Sequence, residues 1–379
     1  MYTMKNIIAH RAKAFSGSEI LEFFTKAKGL KHPIDLSIGM PHGEMTETAR
    51  SAAILALRNG HTKYSPAGGM AELRIMTAQK LRNNNNLAAS TEDTIMTAGV
   101  SGGLFLAMAA TLDPGDEIII PDPFFVAYRE LAILLDAKPV FLDTYPDFDL
   151  DLTALESLIS DRTKAILINT PNNPTGKVYA REKLQGLADI CRRHGLIVIS
   201  DEIYEDFVFD TEHCSIGELY QPTITLNGFS KNHAMTGMRM GYAHSTPEII
   251  RAMLELQQFV FFSNSSVAEH AALAALGTST APAMRHYAKN REYVLKNLSP
   301  EYVRSSGEGS FFFFIKHPFL DGRQLAEEAL KHELIVLPGN LFSLKQSHFR
   351  ISYACDMDRL VAGIEILNSL VVATKKISR

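Results

Sequence analysis

Cysteine is scarce in this sequence: Cys191, Cys214 and Cys355 are the only three, far apart and odd in number. That spacing supports neither a disulfide framework nor a zinc site, so a reducing compartment is the expectation. No apolar run approaches the roughly 20 residues that a membrane-spanning helix needs. Met1 to Phe15 mixes Lys, His and Arg without the apolar core of a secretion signal. A cytoplasmic protein with no membrane partner is expected. Excess basic charge is missing too: 38 Lys and Arg against 42 Asp and Glu leave a net charge of −4, and nothing points to nucleic acid. Internal repeats and low-complexity linkers are absent.

What is present is an ordinary globular composition, 46% hydrophobic and 21% charged, over 379 residues, enough for a large core and two domains. Helical spacing marks 16–28, 46–59 and 70–83, and the polar tetrad Asn83 to Asn86 reads as a loop. From Ile95 onward, strands alternate with helices, the sign of a mostly parallel α/β sheet. Seven strands are predicted, over 94–97, 117–121, 139–143, 165–169, 196–200, 223–226 and 241–244. Segments such as AILIN and LIVIS are continuous apolar runs, as expected of strands buried on both faces. Helices are predicted over 101–112, 124–136, 152–160 and 182–194. After a long helical stretch beyond Glu248 and a helix over 267–276, an α+β unit follows. It has helices over 283–297, 323–331 and 356–369, and strands over 310–315, 334–337 and 349–353. The predicted division is a large domain over 46–280 and a smaller α+β domain built from 1–45 and 281–379.

The most informative run is Gly228-Phe229-Ser230-Lys231, followed by Gly237, Arg239 and Gly241. A lysine just past a buried strand, among small and apolar residues, is poorly hydrated; its pKa should fall and its amine become nucleophilic. This run resembles the attachment-site signature of pyridoxal-phosphate (PLP) enzymes in the class I/II aminotransferase family, of fold type I. The resemblance implies that Lys231 carries the cofactor as an imine and that Arg239 faces its phosphate. Gly228 departs from the family, which frequently has a phosphate-touching serine there; Ser230 is the nearest substitute.

Other motifs resemble the family in the same order. Gly99-Val100-Ser101-Gly102-Gly103 sits at a strand-to-helix junction, where backbone N–H groups and the positive helix end suit a phosphate; the family implies that Val100 and Ser101 hold it. Phe125 would stack on the pyridine ring, with Tyr128 nearby. In Asn172-Asn173-Pro174-Thr175-Gly176, Asn173 would donate to the cofactor's phenolic oxygen and lie near the substrate carboxylate. Asp201 ends a buried parallel strand, where ligands bind in such sheets, and would keep the ring nitrogen protonated; Tyr204 would hydrogen-bond the phenolic oxygen. Arg350 interrupts an apolar strand, and its planar fork suits a carboxylate; the resemblance makes it the receptor of the substrate's α-carboxylate. Gly39 would approach the same carboxylate. Tyr64, in Lys63-Tyr64-Ser65-Pro66, would reach the cofactor phosphate of a neighbouring subunit. His42 replaces an acidic residue frequent in the family.

The resemblance covers about Ser16 to Leu367. It implies a homodimer with shared active sites and a catalytic set of Lys231, Asp201 and Tyr204 that moves an amino group between an L-amino acid and a 2-oxo acid. A PLP-dependent C–S β-lyase or related synthase of the same fold would share every cofactor residue. A non-catalytic ligand-sensing module is the more distant alternative. The side chain of the substrate is not legible in the sequence, although Phe125, Phe261 and Phe262 hint at an apolar pocket.

Overall fold

The computed structural model describes residues 8–13, 25 and 29–377. The expected helix over 16–28 lies outside them apart from Thr25. In chain order the strands are β1 (Ile34–Asp35), β2 (Thr94–Ala98), β3 (Glu117–Asp122), β4 (Lys138–Asp143), β5 (Thr163–Asn169), β6 (Ile197–Asp201), β7 (Thr223–Gly228) and β8 (Met240–His244). They continue with β9 (Val303–Arg304), β10 (Phe312–Lys316), β11 (Leu334–Ile335), β12 (Leu337–Pro338) and β13 (Phe349–Ser352).

The seven expected strands form one sheet, in the order β2-β8-β7-β6-β5-β3-β4. Only β8 runs antiparallel to its neighbours. The continuous apolar runs have a direct cause. Ile118, Ile120, Leu167 and Ile199 face one core, while Ile119, Ile166, Ile168 and Val198 face another on the opposite side of the sheet. Helices cover both faces, so neither parity of residue meets water. The parallel strands end together, and Asp122, Asn169, Asp201 and Gly228 stand along one edge of the sheet.

A second, antiparallel sheet has the order β12-β13-β10-β9. Its core contains Phe311 to Phe314, every one fully buried. The chain's early segment is tied to it: β1 pairs in parallel with β11, and Ser352 N donates to Leu36 O at 2.7 Å. Those bonds carry the backbone of Ser37 to Gly39 toward the edge of the large sheet.

Several expected boundaries move. Asn83 to Asn85 continue the helix Ala71–Asn85, because the buried Asn85 amide donates to Glu205 Oε2 at 2.6 Å; only Asn86, left-handed at φ 56°, leaves it. The helix expected from 124 begins at Ala127, since Phe124 N is drawn to Phe342 O at 2.7 Å. It ends at Leu134, before the left-handed Asp136. The helix predicted over 152–160 ends at Ser157. The predicted strand 334–337 is two strands with different partners, β11 against β1 and β12 against β13. A left-handed Ser310 delays β10 to Phe312. The last helix runs on to Ile377.

Candidate active site

A cavity of about 420 Å³ opens where the carboxyl ends of β5, β6 and β7 meet the second sheet and the Gly39 segment. Lys231 follows β7 by three residues and reaches into it, its Nζ donating to Gly39 O at 2.5 Å. Burial, reinforced by the positive charge of Arg350, pushes its amine down to about 8, against the opposing pull of Asp201. An amine with that pKa is partly uncharged near neutrality and able to act as nucleophile or base.

Asp201 is the last residue of β6 and is buried. Its Oδ2 accepts from the Tyr128 hydroxyl at 2.7 Å and its Oδ1 from Ile203 N at 3.2 Å. Burial raises its carboxyl to about 6, while these two donors and Lys231 hold it down. Tyr128 is itself buried, which lifts its phenol well above the ordinary range and keeps it a donor. Asn169, at the end of β5, braces the same corner: its Nδ2 donates to Asp201 O at 2.9 Å and its Oδ1 accepts from Asn173 N at 2.7 Å. Thr170-Pro171 and Asn173-Pro174 are both cis.

Arg350 projects from β13, fully enclosed, its guanidinium 4.2 Å from the Phe312 ring centroid and 4.4 Å from that of Phe342. Nη1 donates to Asn173 Oδ1 at 2.8 Å and Nη2 to Ser37 O at 2.6 Å. Burial pushes its pKa down to about 10. Its Nε is buried with no partner among the described residues. A buried charged donor left open calls for an acceptor, and a carboxylate supplies one in the right plane. Because the Asn173 oxygen is taken by Arg350, its NH₂ is the group left for a ligand.

At the opposite end, Val100 and Ser101 begin the helix Gly99–Thr111. Arg239, left-handed at φ 54°, lies against Gly99, where a Cβ would come within 2.6 Å of its Nη2. Its Nη1 donates to Thr236 O at 3.0 Å. Gly228 lies where β7 and β8 approach most closely. A Cβ there would meet Gly241 Cα and Met240 O at 2.8 Å, so the backbone leaves no space for a serine. Ser230, buried, lines the cavity instead.

Lys231, Asp201, Tyr204, Val100, Ser101, Phe125, Asn173, Ser230, Arg239, Gly39 and Arg350 thus converge on one cavity. Tyr64 does not: it is 80% exposed and rests on Phe262, with ring centroids 4.5 Å apart. His233 is buried away from the cavity, against Phe229, and burial pushes it down to about 4. His42 stacks on His286 at 4.5 Å and faces Asp356 at 3.5 Å. The parts that motif reading missed are the Tyr128 hydroxyl and Asn169. Asn169 closes β5 and Tyr128 lies in the helix that follows β3, and a polar side chain at the carboxyl end of a parallel strand or in the turn after it is the signal that would have found them. The walls fit pyridoxal phosphate: an anion-suited helix start with an arginine at one end, a buried carboxylate beside the ring position, and a depressed lysine between them.

A sequence profile described as aminotransferase class I and II matches residues 31–367. The aspartate aminotransferase of Bacillus subtilis is 32% identical over 389 residues, covering 96% of this chain and 98% of that protein. Aromatic-amino-acid aminotransferase 2 of Thermococcus litoralis is 33% identical, covering 97% and 99%. Among solved structures, Thermus thermophilus aspartate aminotransferase with maleate superposes with a TM-score of 0.92 at 33% identity, over 97% of this chain and 100% of that one. The chain therefore belongs to the class I and II aminotransferase family, and is a pyridoxal-phosphate-dependent transaminase of fold type I.

Proposed function

We propose that Lys231 is both the attachment point of pyridoxal phosphate and the group that moves the substrate's Cα proton as the amino group passes between an L-amino acid and a 2-oxo acid. The single observation that carries this is the Lys231 amine, pushed down to about 8 by burial, in one cavity with a buried carboxylate and a half-satisfied arginine. When bound, the coenzyme supplies a protonated ring that stabilises the electron pair left at Cα.

Asp201, ionised above about 6, keeps that ring nitrogen protonated, and Tyr128 and Ile203 N hold the carboxylate in place. Tyr204 and the Asn173 NH₂ donate to the phenolic oxygen. Phe125 packs on the ring face. Val100 N–H, Ser101, Ser230 and Arg239 receive the phosphate. Arg350, helped by Asn173 and the Gly39 backbone, grips the α-carboxylate in the two-pronged geometry its fork allows. Fixing the carboxylate sets Cα within reach of Lys231, and the general-base step follows from that proximity.

The protein acts as a cytoplasmic homodimer in this reading, with Tyr64 reaching the partner's phosphate site. Residues 46–280 form the coenzyme-binding domain, and 1–45 with 281–379 the small one. Borohydride reduction of the holoenzyme followed by peptide mapping should find the coenzyme on Lys231. Lys231→Ala should lose that adduct and slow amino transfer by at least about 10²-fold, the ordinary contribution of a general base. An adduct on another lysine would overturn the assignment.

A further inference from the structure

Two rings pack on the Arg350 guanidinium, and they are fixed in different ways. Phe312 stands on β10, and the pairing of β10 with β13 sets its place 4.2 Å from the guanidinium. Phe342, 4.4 Å away, follows the helical turn Gly339–Leu341 and belongs to a loop outside any strand. The tips of the guanidinium are tied, Nη1 to Asn173 Oδ1 and Nη2 to Ser37 O. Those two bonds define a line, and the packed rings restrain the tilt of the plane about it.

What holds the Phe342 loop is the far sheet. Phe124 N donates to Phe342 O at 2.7 Å, and Leu344 N donates to Asp122 Oδ2 at 3.2 Å. Asp122 closes β3 and is buried. Burial pushes its carboxyl up, and Ser343 and Leu344 N oppose that by donating to it. The Tyr145 hydroxyl in turn donates to Ser343 Oγ at 2.9 Å, and Lys345 Nζ lies 2.7 Å from Asp143 Oδ2. The half-exposed Lys345–Asp143 pair contributes little by itself. A buried carboxylate is different: it is costly without donors, and here a hydroxyl and an amide of the loop supply them.

Resting on the role proposed for Arg350 as receptor of the α-carboxylate, we propose that Asp122 is a positioning residue for substrate binding. Through Ser343 and Leu344 it holds the Phe342 ring against Arg350, and so keeps the guanidinium in the plane that receives a carboxylate bidentately.

The test compares Asp122→Ala, Asp122→Asn and Arg350→Ala with the unaltered holoenzyme. Binding of two unreactive carboxylates, maleate and 3-phenylpropionate, is measured by calorimetry, and pyridoxal phosphate is titrated into each apoprotein. Asp122→Ala should weaken the tighter-binding carboxylate at least about tenfold, within what a slightly misplaced binding group costs, and leave coenzyme affinity unchanged. Asp122→Asn keeps an oxygen for Leu344 N and should recover most of the loss. Should Asp122→Ala not fold, Ser343→Ala removes the hydroxyl that bridges Asp122 and Tyr145, and should weaken carboxylate binding in the same sense. Unchanged carboxylate affinity in the variant that folds, or equal losses of carboxylate and coenzyme affinity, would overturn the proposal. Arg350→Ala separates the two readings. If it binds carboxylates as the unaltered enzyme does, or if that enzyme binds neither, the role of Arg350 falls and the proposal with it. If Arg350→Ala alone loses them, only the role of Asp122 falls.

Discussion

Tyr128 sets the working charge of Asp201. Burial raises the carboxyl to about 6, and the phenol's 2.7 Å hydrogen bond is among the forces that keep it from rising further. Its sign is unambiguous: a donor stabilises the carboxylate over the acid, so removing it moves the pKa up. Ionised Asp201 is the useful form, present above its pKa and lost as pH falls through it. Tyr128→Phe should therefore displace the acid limb of the kcat/KM profile toward higher pH by about one unit, the worth of a hydrogen bond to a charged group. The alkaline limb should stay in place. A uniform fall in rate with an unmoved acid limb would assign Tyr128 to packing alone. Motif reading found Asp201 because a carboxylate after LIVIS is conspicuous. The sequence shows the tyrosine only as a neighbour of Phe125, since whether its hydroxyl reaches a carboxylate 73 positions away is settled by tertiary packing.

At the scale of elements, the sequence was most readable where a strand is covered on both sides. LIVIS and AILIN could hardly be anything else, because alternate residues enter separate cores. It was least readable where a polar residue is drawn inward by a distant partner. Asn83 to Asn86 has loop composition, yet Asn85 is buried against Glu205, which also pairs with Lys80. Burial opposes the charge on both members of this pair. Even so, Glu205 holds the Lys80 ammonium above its ordinary pKa, and Lys80 helps hold the Glu205 carboxyl below its own. Glu205→Gln would strand the Lys80 charge in the interior. The expected loss is about 3–5 kcal/mol of unfolding free energy, measured as a lower urea midpoint with unchanged slope. A change within about 0.5 kcal/mol, the ordinary range for surface substitutions, would mean that Lys80 finds water without its partner. The strand 334–337 was misread for a related reason: Leu334 and Leu337 are equally apolar, and nothing local records that they pair with different strands.

For the whole molecule, the exposed residues carry the argument. Tyr64 is 80% exposed and Phe262, its only described ring partner, 53%. Phe259 and Val260 end a nearby helix, exposed as well, and Leu55 and Leu57 are open on the helix Glu47–Arg58. Large apolar side chains left in water at this density suit a surface that a second copy covers. If Tyr64 serves the partner's phosphate site, two different defects on separate subunits should complement. Tyr64→Ala alone weakens both sites of a dimer, and Lys231→Ala alone disables both. In a hybrid of the two chains, the subunit that keeps Lys231 faces the other chain's intact Tyr64, so one site is whole while the other bears both lesions. Differently tagged chains, co-expressed and purified through both tags, should recover activity that neither parent dimer has. Hybrids no more active than the Tyr64→Ala dimer would place the tyrosine's action within its own subunit, and a hybrid that never forms would remove the shared site altogether.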